Sequence, residues 1–183
     1  MSGIEEAAAA QSIFGPILGW LRRRFGRSEL RLDIRRGMPF EVTHPAGSTG
    51  KAVRGLRVQV RNVSSQSLHC IAKLEEMTRS DGKPFVNAFL PIGLRTQHQK
   101  RELRLGGLFN LRAGERKLIE VAYLDETSPE SEIELQYETD KYPATVPRAS
   151  YNLTIKVYGS SKPADSRYRL YVDGRGILRM VRR

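Results

Sequence analysis

The sequence predicts an all-β protein, an antiparallel sandwich or barrel, and two observations carry this prediction. From Ser28 onward, short stretches alternate apolar and polar residues with a period of two, the pattern of half-buried strands. Glycine, serine, asparagine and aspartate separate these stretches, and no convincing helix of about ten residues interrupts them. Such half-polar strands exclude a doubly wound parallel sheet. The 183 residues suffice for one domain with its own core.

The first predicted strands lie in the N-terminal half of this region. The stretch "ELRLDIRR" places Leu30, Leu32 and Ile34 on one side and charged residues on the other. "LRVQVRNV" and "LHCIAKLEEM" repeat the alternation, and the polar "SSQS" between them predicts a hairpin. The residues expected to point inward in these two strands are Leu56, Val58, Val60, Leu68, Cys70, Ala72 and Leu74.

Further strands are predicted after a long connection. The segment Thr78–Gly107 contains prolines and glycines that interrupt pairing, so we expect short edge strands there. In "FNLRAGERKLIEV", a tight turn at "RAGER" joins two strands, with Gly114 free to adopt a positive φ and Ile119, Val121 and Tyr123 directed inward. "EIELQYE", "YNLTIKVYG" and the pair "RYRLYV" and "ILRMV", joined by "DGRG", complete the set.

The "RAGER" turn is also a candidate binding site. Arg112, Arg116 and Lys117 lie close together in sequence and would form an anion contact if their side chains converged. The alternative is that they only solvate a corner of the chain, because exposed turns are routinely charged. Both interpretations stay open, and we favour a solvated turn without a ligand.

The N-terminal segment, residues 1–27, is predicted to contain a short amphipathic helix. In "PILGWLRRRF", Pro16 suits the first helical position and Gly26 the stop. The uncharged run from Ala7 to Leu21, which includes the start of this helix, has 15 residues, fewer than the roughly 20 that span a bilayer. We expect the helix to dock on an anionic membrane surface, on a partner, or on the 28–183 domain itself. The residues expected to make this contact are Phe14, Ile17, Leu18, Trp20, Leu21, Arg22, Arg23 and Phe25.

Charge is distributed unevenly along the chain. The formal net charge is +11, and 23 of the 31 basic residues are arginine. Glu120–Asp140 instead holds 8 acidic residues and no basic one. A strand spaces same-face carboxylates about 7 Å apart, which does not make a calcium site. We expect the acidic face, Glu130, Glu132, Glu134 and Glu138, to pair with basic strands that carry Arg31, Arg35, Arg57 and Arg61.

The basic ends raise nucleic-acid binding as an alternative function. Sequence-tolerant binding needs aromatic side chains among the basic ones, on which bases stack. Near the C-terminus, Tyr168 and Tyr171 alternate with Arg167 and Arg169. We expect weak, non-specific binding at most.

No motif of catalysis or metal binding is recognised. "HPAGSTGKA" lacks the first glycine and the final serine or threonine of a phosphate-binding loop, and a strand follows it rather than a helix. His44, His69 and His98 lie in separate segments without ligand spacing. Cys70, the single cysteine, is expected to be a buried small hydrophobe rather than a nucleophile. We therefore expect no metal, no cofactor, no small-molecule substrate and no enzymatic activity.

One resemblance adds to this interpretation. "LRVQVRNVSSQSLHCIAKLEEM", "FNLRAGERKLIEV" and "YNLTIKVYG" followed by "SRYRLYVDGRGILRMV" resemble the immunoglobulin-like or fibronectin-III-like sandwich of uncharacterised bacterial proteins. The sequence offers neither a tyrosine corner nor the Cys–Trp–Cys pattern of antibody domains. The resemblance implies a sandwich over 28–183 and a binding or scaffolding role without catalytic residues. We accordingly expect a cytosolic module for an unknown protein partner, peripheral to the inner membrane if its helix binds lipid.

Overall fold

The structure, a computed structural model, describes residues 28–44, 52–81, 90–96, 108–136, 145–160 and 162–183. The predicted N-terminal helix and its docking residues lie outside this part of the chain. Within the described residues the chain forms twelve strands: β1 (Leu30–Asp33), β2 (Glu41–His44), β3 (Val53–Asn62), β4 (Leu68–Arg79), β5 (Ile92–Gly93), β6 (Leu108–Leu111), β7 (Arg116–Asp125), β8 (Ile133–Leu135), β9 (Thr145–Val146), β10 (Tyr151–Tyr158), β11 (Ala164–Val172) and β12 (Leu178–Arg182).

The strands form two antiparallel sheets. In sheet A the order is β1-β3-β7-β8-β9, and β2 pairs with β3 as well. In sheet B the order is β12-β11-β10-β4-β5, and β6 also pairs with β4. Apolar residues from both sheets form one buried core. The predicted all-β class is confirmed for the described residues, and the arrangement is compatible with a β-sandwich.

Period-two alternation identified the buried faces of most strands correctly. In β1, Leu30 and Leu32 are buried, and in β4 the pattern alternates from Leu68 through Leu74. All seven residues predicted to point inward in β3 and β4 are buried. A strand with one face on the core and one in solvent imposes this alternation locally, so it can be recognised without knowing the partners.

The inward direction predicted for Tyr123 is wrong, because β7 contains an irregularity. Leu56 on β3 pairs with Ala122, whereas the next residue, Arg57, pairs with Glu120, so that Val121 is an extra residue. This bulge reverses the alternation that follows it. Ala122 is therefore buried and Tyr123 turns outward, with its ring over the backbone of Gly55, where a Cβ atom would collide with it.

The hairpin predicted between β3 and β4 is also wrong. The two strands belong to different sheets, so the "SSQS" loop crosses from sheet A to sheet B. The "RAGER" turn crosses in the opposite sense, from β6 in sheet B to β7 in sheet A. The two crossings lie side by side, because β3 pairs with β7 and β4 pairs with β6. We call β3–β4 with its loop the first arch, and β6–β7 with its turn the second arch.

One buried asparagine joins the two arches. Asn62 is fully buried at the end of β3, and its Nδ2 donates to the carbonyl oxygens of Gln66 at 2.7 Å, Leu111 at 3.1 Å and Arg112 at 3.1 Å. Its Oδ1 accepts a hydrogen bond from the Ser64 amide at 2.9 Å. The first arch is thus held by its own loop and by the end of the second.

The side chain of the buried Tyr151 makes a second contact of this kind, a hydrogen bond to the backbone that alternation did not predict. Tyr151, the first residue of β10, donates its hydroxyl hydrogen to the carbonyl oxygen of Pro147, four residues upstream, at 2.9 Å. This is the geometry of a tyrosine corner, which the sequence analysis did not find. The pattern is hard to recognise in sequence, because it depends on where a strand begins.

Candidate functional site

Three arginines form a row across the outer face of sheet A. Arg31 on β1 lies opposite Arg61 on β3, and Arg61 in turn lies opposite Arg116 on β7. All three are exposed. Residues directly opposite each other in antiparallel strands have Cβ atoms about 5 Å apart, and like charges so placed repel. We call these residues the arginine row.

The arginine row has no acidic partner in the described part of the chain. There, none of its three guanidinium groups has a carboxylate within ion-pair distance, although other arginines of sheet A are paired. Arg57 contacts Glu120 at 3.2 Å, rather than the predicted acidic face of β8. Arg54 contacts Glu126 and Glu41. Among the described residues, the row is therefore a concentration of positive charge without an ion-pair partner.

The predicted anion contact is divided between two places. Arg116 belongs to the arginine row, whereas Arg112 and Lys117 line an open depression of about 520 Å³ together with Asn110 and Glu115. Lys117 Nζ lies 5.9 Å from the ring centroid of Phe109 in a cation–π contact. Gly114 has the predicted positive φ, 74°. The three basic residues do not converge on one point, and an anion contact at Arg112 and Lys117 stays a prediction.

The Glu115 side chain helps to fix this turn. Its Oε2 accepts a hydrogen bond from the backbone amide of Arg112 at 2.6 Å, and its own amide donates to the Arg112 carbonyl oxygen at 3.0 Å. The turn beside the arginine row is therefore held at both of its ends, which fixes where β7 and Arg116 begin.

The opposite end of the same sheet is acidic. Glu130, Glu132 and Glu134, in and just before β8, are exposed, and we call them the acidic end. Glu134 pairs with Tyr123 on β7, and its Oε1 accepts a hydrogen bond from Gln136 Nε2 at 2.8 Å. Residues 116 and 123 are seven positions apart on β7, a distance of about 23 Å along the strand. Sheet A thus carries opposite charges at its two ends.

A neutral cluster separates these ends. Arg57 Nη2 donates to Glu120 Oε1 at 3.2 Å, and the Tyr123 hydroxyl donates to the same oxygen at 2.8 Å. Burial and, next, the hydrogen bond to Glu120 raise the pKa of Tyr123. The centre of the face therefore contains an aromatic ring and a compensated ion pair rather than excess charge.

The two tyrosines that alternate with arginines near the C-terminus lie in different environments on sheet B. Tyr168 is fully buried, and this burial raises its pKa to about 12. Tyr171 remains partly exposed, with the guanidinium carbon of Arg169 5.3 Å from its ring centroid. Tyr168 occupies an inward position of β11, so of these two tyrosines only Tyr171 could stack on a base.

Cys70 and His69, which the sequence raised as a possible nucleophile and a possible metal ligand, both lie in the described part of the chain. Cys70 is 1% exposed, and burial raises the pKa of its thiol to about 11, which the charge of Lys117 partly offsets. His69 is exposed, as its outward position predicts. No group of three or more histidine, cysteine or acidic side chains among the described residues is placed to hold a metal ion. Nor do these residues include a helix that could cross a membrane.

Comparisons with protein families, curated proteins and solved structures found no match to this chain. The arginine row was missed in the sequence because its members are 30 and 55 positions apart (61 − 31 and 116 − 61). Their neighbourhood depends on strand order and register, which alternation alone does not give. Each arginine occupies an outward position of its strand, and that was the only local signal.

Proposed function

We propose that this chain is a non-catalytic protein-binding or scaffolding module, and that it binds an acidic protein surface through the arginine row. The observation that carries the proposal is the register of Arg31, Arg61 and Arg116, which places side by side three arginines that have no acidic partner among the described residues. Guanidinium groups bind carboxylates in a bidentate, charge-assisted manner. An acidic partner would offset the repulsion within the row.

The proposed scaffold is an immunoglobulin-like or fibronectin-III-like sandwich. The neighbours β1-β3-β7 follow the A-B-E order of that fold, and β11-β10-β4 follow its G-F-C order. The bond between Tyr151 and Pro147 lies at the start of the strand that corresponds to F, where a tyrosine corner is expected. The fold departs from that pattern where β8 and β9 follow β7, and fold alone does not imply a function.

The experiment compares two anionic probes on matched variants. A fluorescently labelled glutamate-rich peptide and a labelled single-stranded DNA are titrated with the full chain and followed by anisotropy. The test variant replaces Arg31, Arg61 and Arg116 by alanine, and the control replaces Arg167 and Arg175, exposed arginines outside the row. Because each lost charge-assisted contact costs about 1.5 kcal/mol or more, we expect the test variant to bind the peptide at least roughly tenfold more weakly.

The outcomes separate the two candidate functions. Unchanged peptide binding by the test variant would reject the arginine row as the binding surface. Tighter binding to DNA than to the peptide, lost in the test variant and steeply salt-dependent, would favour the alternative of non-specific nucleic-acid binding.

The N-terminal segment is proposed as a second docking element. Its predicted apolar arc around Trp20, beside Arg22 and Arg23, suits a headgroup region or a partner protein. The test is sedimentation of the full chain with anionic liposomes at low salt, beside a chain that starts at Ser28. If both proteins stay in the supernatant, membrane docking is wrong and protein docking remains.

A further inference from the structure

We infer that the partner of the arginine row is the acidic end of a second copy of this chain, so that two outer faces of sheet A pack against each other. This inference rests on the proposed function, because it names the partner of the same surface. Both halves of the contact are present: Arg31, Arg61 and Arg116 at one end of the face, and at the other Glu134, with the exposed Glu132 just before β8.

The geometry permits a closed dimer. Arg116 and the Tyr123–Glu134 pair lie on β7 and its neighbour β8, about 23 Å apart along the strand direction. A twofold axis that lies in the interface and crosses the strands obliquely between them brings the β7 end of each arginine row, Arg116, toward Glu134 on the neighbouring strand position of the partner copy. Such an isologous contact uses the same surface twice and closes on itself. One interface then places a basic end beside an acidic end twice.

The centre of the face is suited to burial in this contact. The Arg57–Glu120 pair lies between the two ends, near the twofold axis, and the Tyr123 hydroxyl reaches it from the acidic end. Their charges already compensate each other, so the interface buries no unpaired ion there. A tyrosine ring beside the centre is also the kind of residue that contributes strongly to protein–protein contacts.

The size of the face predicts a weak dimer. Strands β3 and β7 have 10 residues each, which gives a face about 33 Å long. Four strands about 4.8 Å apart make it roughly 20 Å wide, or on the order of 600 Å² for each copy. This is at the lower limit for specific interfaces. We therefore expect a micromolar, salt-sensitive equilibrium between monomer and dimer.

Charge reversal provides the test. In the basic-end variant Arg61 and Arg116 become glutamate, and in the acidic-end variant Glu132 and Glu134 become arginine. Each variant alone places like charges against each other in the dimer, so each should sediment as a monomer. A mixture restores both opposite-charge contacts, so the two variants should form a heterodimer. Arg175→Glu, an exposed charge change in the turn between β11 and β12, is the control and should dimerise as the unaltered chain does.

The measurement is sedimentation equilibrium at about 50 mM and about 500 mM salt, where screening differs severalfold. We expect the unaltered chain to dimerise at the lower salt and to weaken by roughly tenfold or more at the higher. Thermal melting of each variant verifies that it is folded. A monomeric unaltered chain at both salts, or variants that fail to associate on mixing, would overturn the inference.

The experiment distinguishes a failure of the dimer from a failure of the proposed function. If the unaltered chain is monomeric and still binds the glutamate-rich peptide through the arginine row, only the second copy is rejected as the partner. If the chain neither dimerises nor binds the peptide, the proposed function fails as well.

Discussion

Two sets of arginines on this protein differ in what surrounds them. Arg54, Arg57 and Arg179 each contact a carboxylate and are at least half-buried, whereas the arginine row is exposed and has no acidic partner among the described residues. Both sets lie on regular strands and use the same side chain. Register, rather than residue type, therefore decides whether an arginine on these strands meets a carboxylate of the described part of the chain.

The paired set connects the two sheets. A chain of alternating charges runs from Asp173 through Arg179, Glu41 and Arg54 to Glu126. Glu41 Oε2 lies 3.3 Å from Arg179 Nη1 and 3.5 Å from Arg54 Nη1, so one carboxylate on β2 joins β12 of sheet B to β3 of sheet A. Networks of this kind contribute more than isolated surface pairs. These arginines are therefore structural.

Asn62 links the two arches, and removing its side chain should cause the largest loss of stability among these variants. Asn62→Ala leaves the Leu111 and Arg112 carbonyl oxygens without the donor that they share, close to where the row begins. We expect the free energy of unfolding to fall by about 3 kcal/mol in urea denaturation. Ser65→Ala, in the same loop but exposed, is the control and should change stability little. A loss below about 1 kcal/mol for Asn62→Ala would contradict this role.

Arg57→Met tests the paired set. The side chain is 8% exposed, and its removal leaves Glu120 half-buried without its cation. We expect a loss of about 2–3 kcal/mol in the free energy of unfolding, because breaking a buried pair leaves an uncompensated charge. Adding Glu120→Gln should recover part of that loss. If the double variant is no more stable than the single one, the ion pair is not the reason for the loss.

Substituting Cys70 tests the packing of the buried core that lies beneath both sets of arginines. Cys70→Ser buries a hydroxyl group in place of a thiol, and we expect it to cost about 2 kcal/mol. Thiol reagents should modify the unaltered protein only after unfolding. Rapid labelling of the folded protein would show instead that Cys70 is accessible and would reopen the question of a reactive thiol.

The same residue gives a pH dependence with a defined sign. In the folded protein the pKa of Cys70 is raised from 9.0 to about 11, so the folded state holds its proton more tightly than the unfolded state does. Its contribution to stability is complete below pH 9.0 and is lost as the pH rises through about 11. Chemical denaturation from neutral to alkaline pH should show this decline. Cys70→Ala should flatten the part of the curve between those two pKa values.

The sequence predicted the features that depend on neighbouring residues, such as burial and turns. It did not predict those that depend on which strands pair. Buried positions such as Leu30 and Val58 follow from alternation, and the turn at Gly114 follows from its composition. The crossing from β3 to β4 was mistaken for a hairpin, because alternation gives each strand a buried face but does not say which sheet it joins. The extra residue in β7 was invisible for a similar reason, since a bulge is defined by the opposite strand.

The candidate site depended still more on long-range information. Arg116 was selected for its sequence neighbours Arg112 and Lys117, but in the structure its neighbour in the row is Arg61, 55 positions away (116 − 61). No local pattern places those two residues together. Only a small change in stability is expected at the same place, because truncating the row removes repulsion and no ion pair formed by the described residues.

The most direct test of the arginine row as a binding surface measures both stability and binding on one variant. In this variant Arg31, Arg61 and Arg116 are all changed to alanine. We predict that its free energy of unfolding stays within about 0.5 kcal/mol of the unaltered chain, while its affinity for the glutamate-rich peptide falls at least roughly tenfold. A variant that loses stability like Arg57→Met, or that binds the peptide unchanged, would contradict the claim that the arginine row is a binding surface.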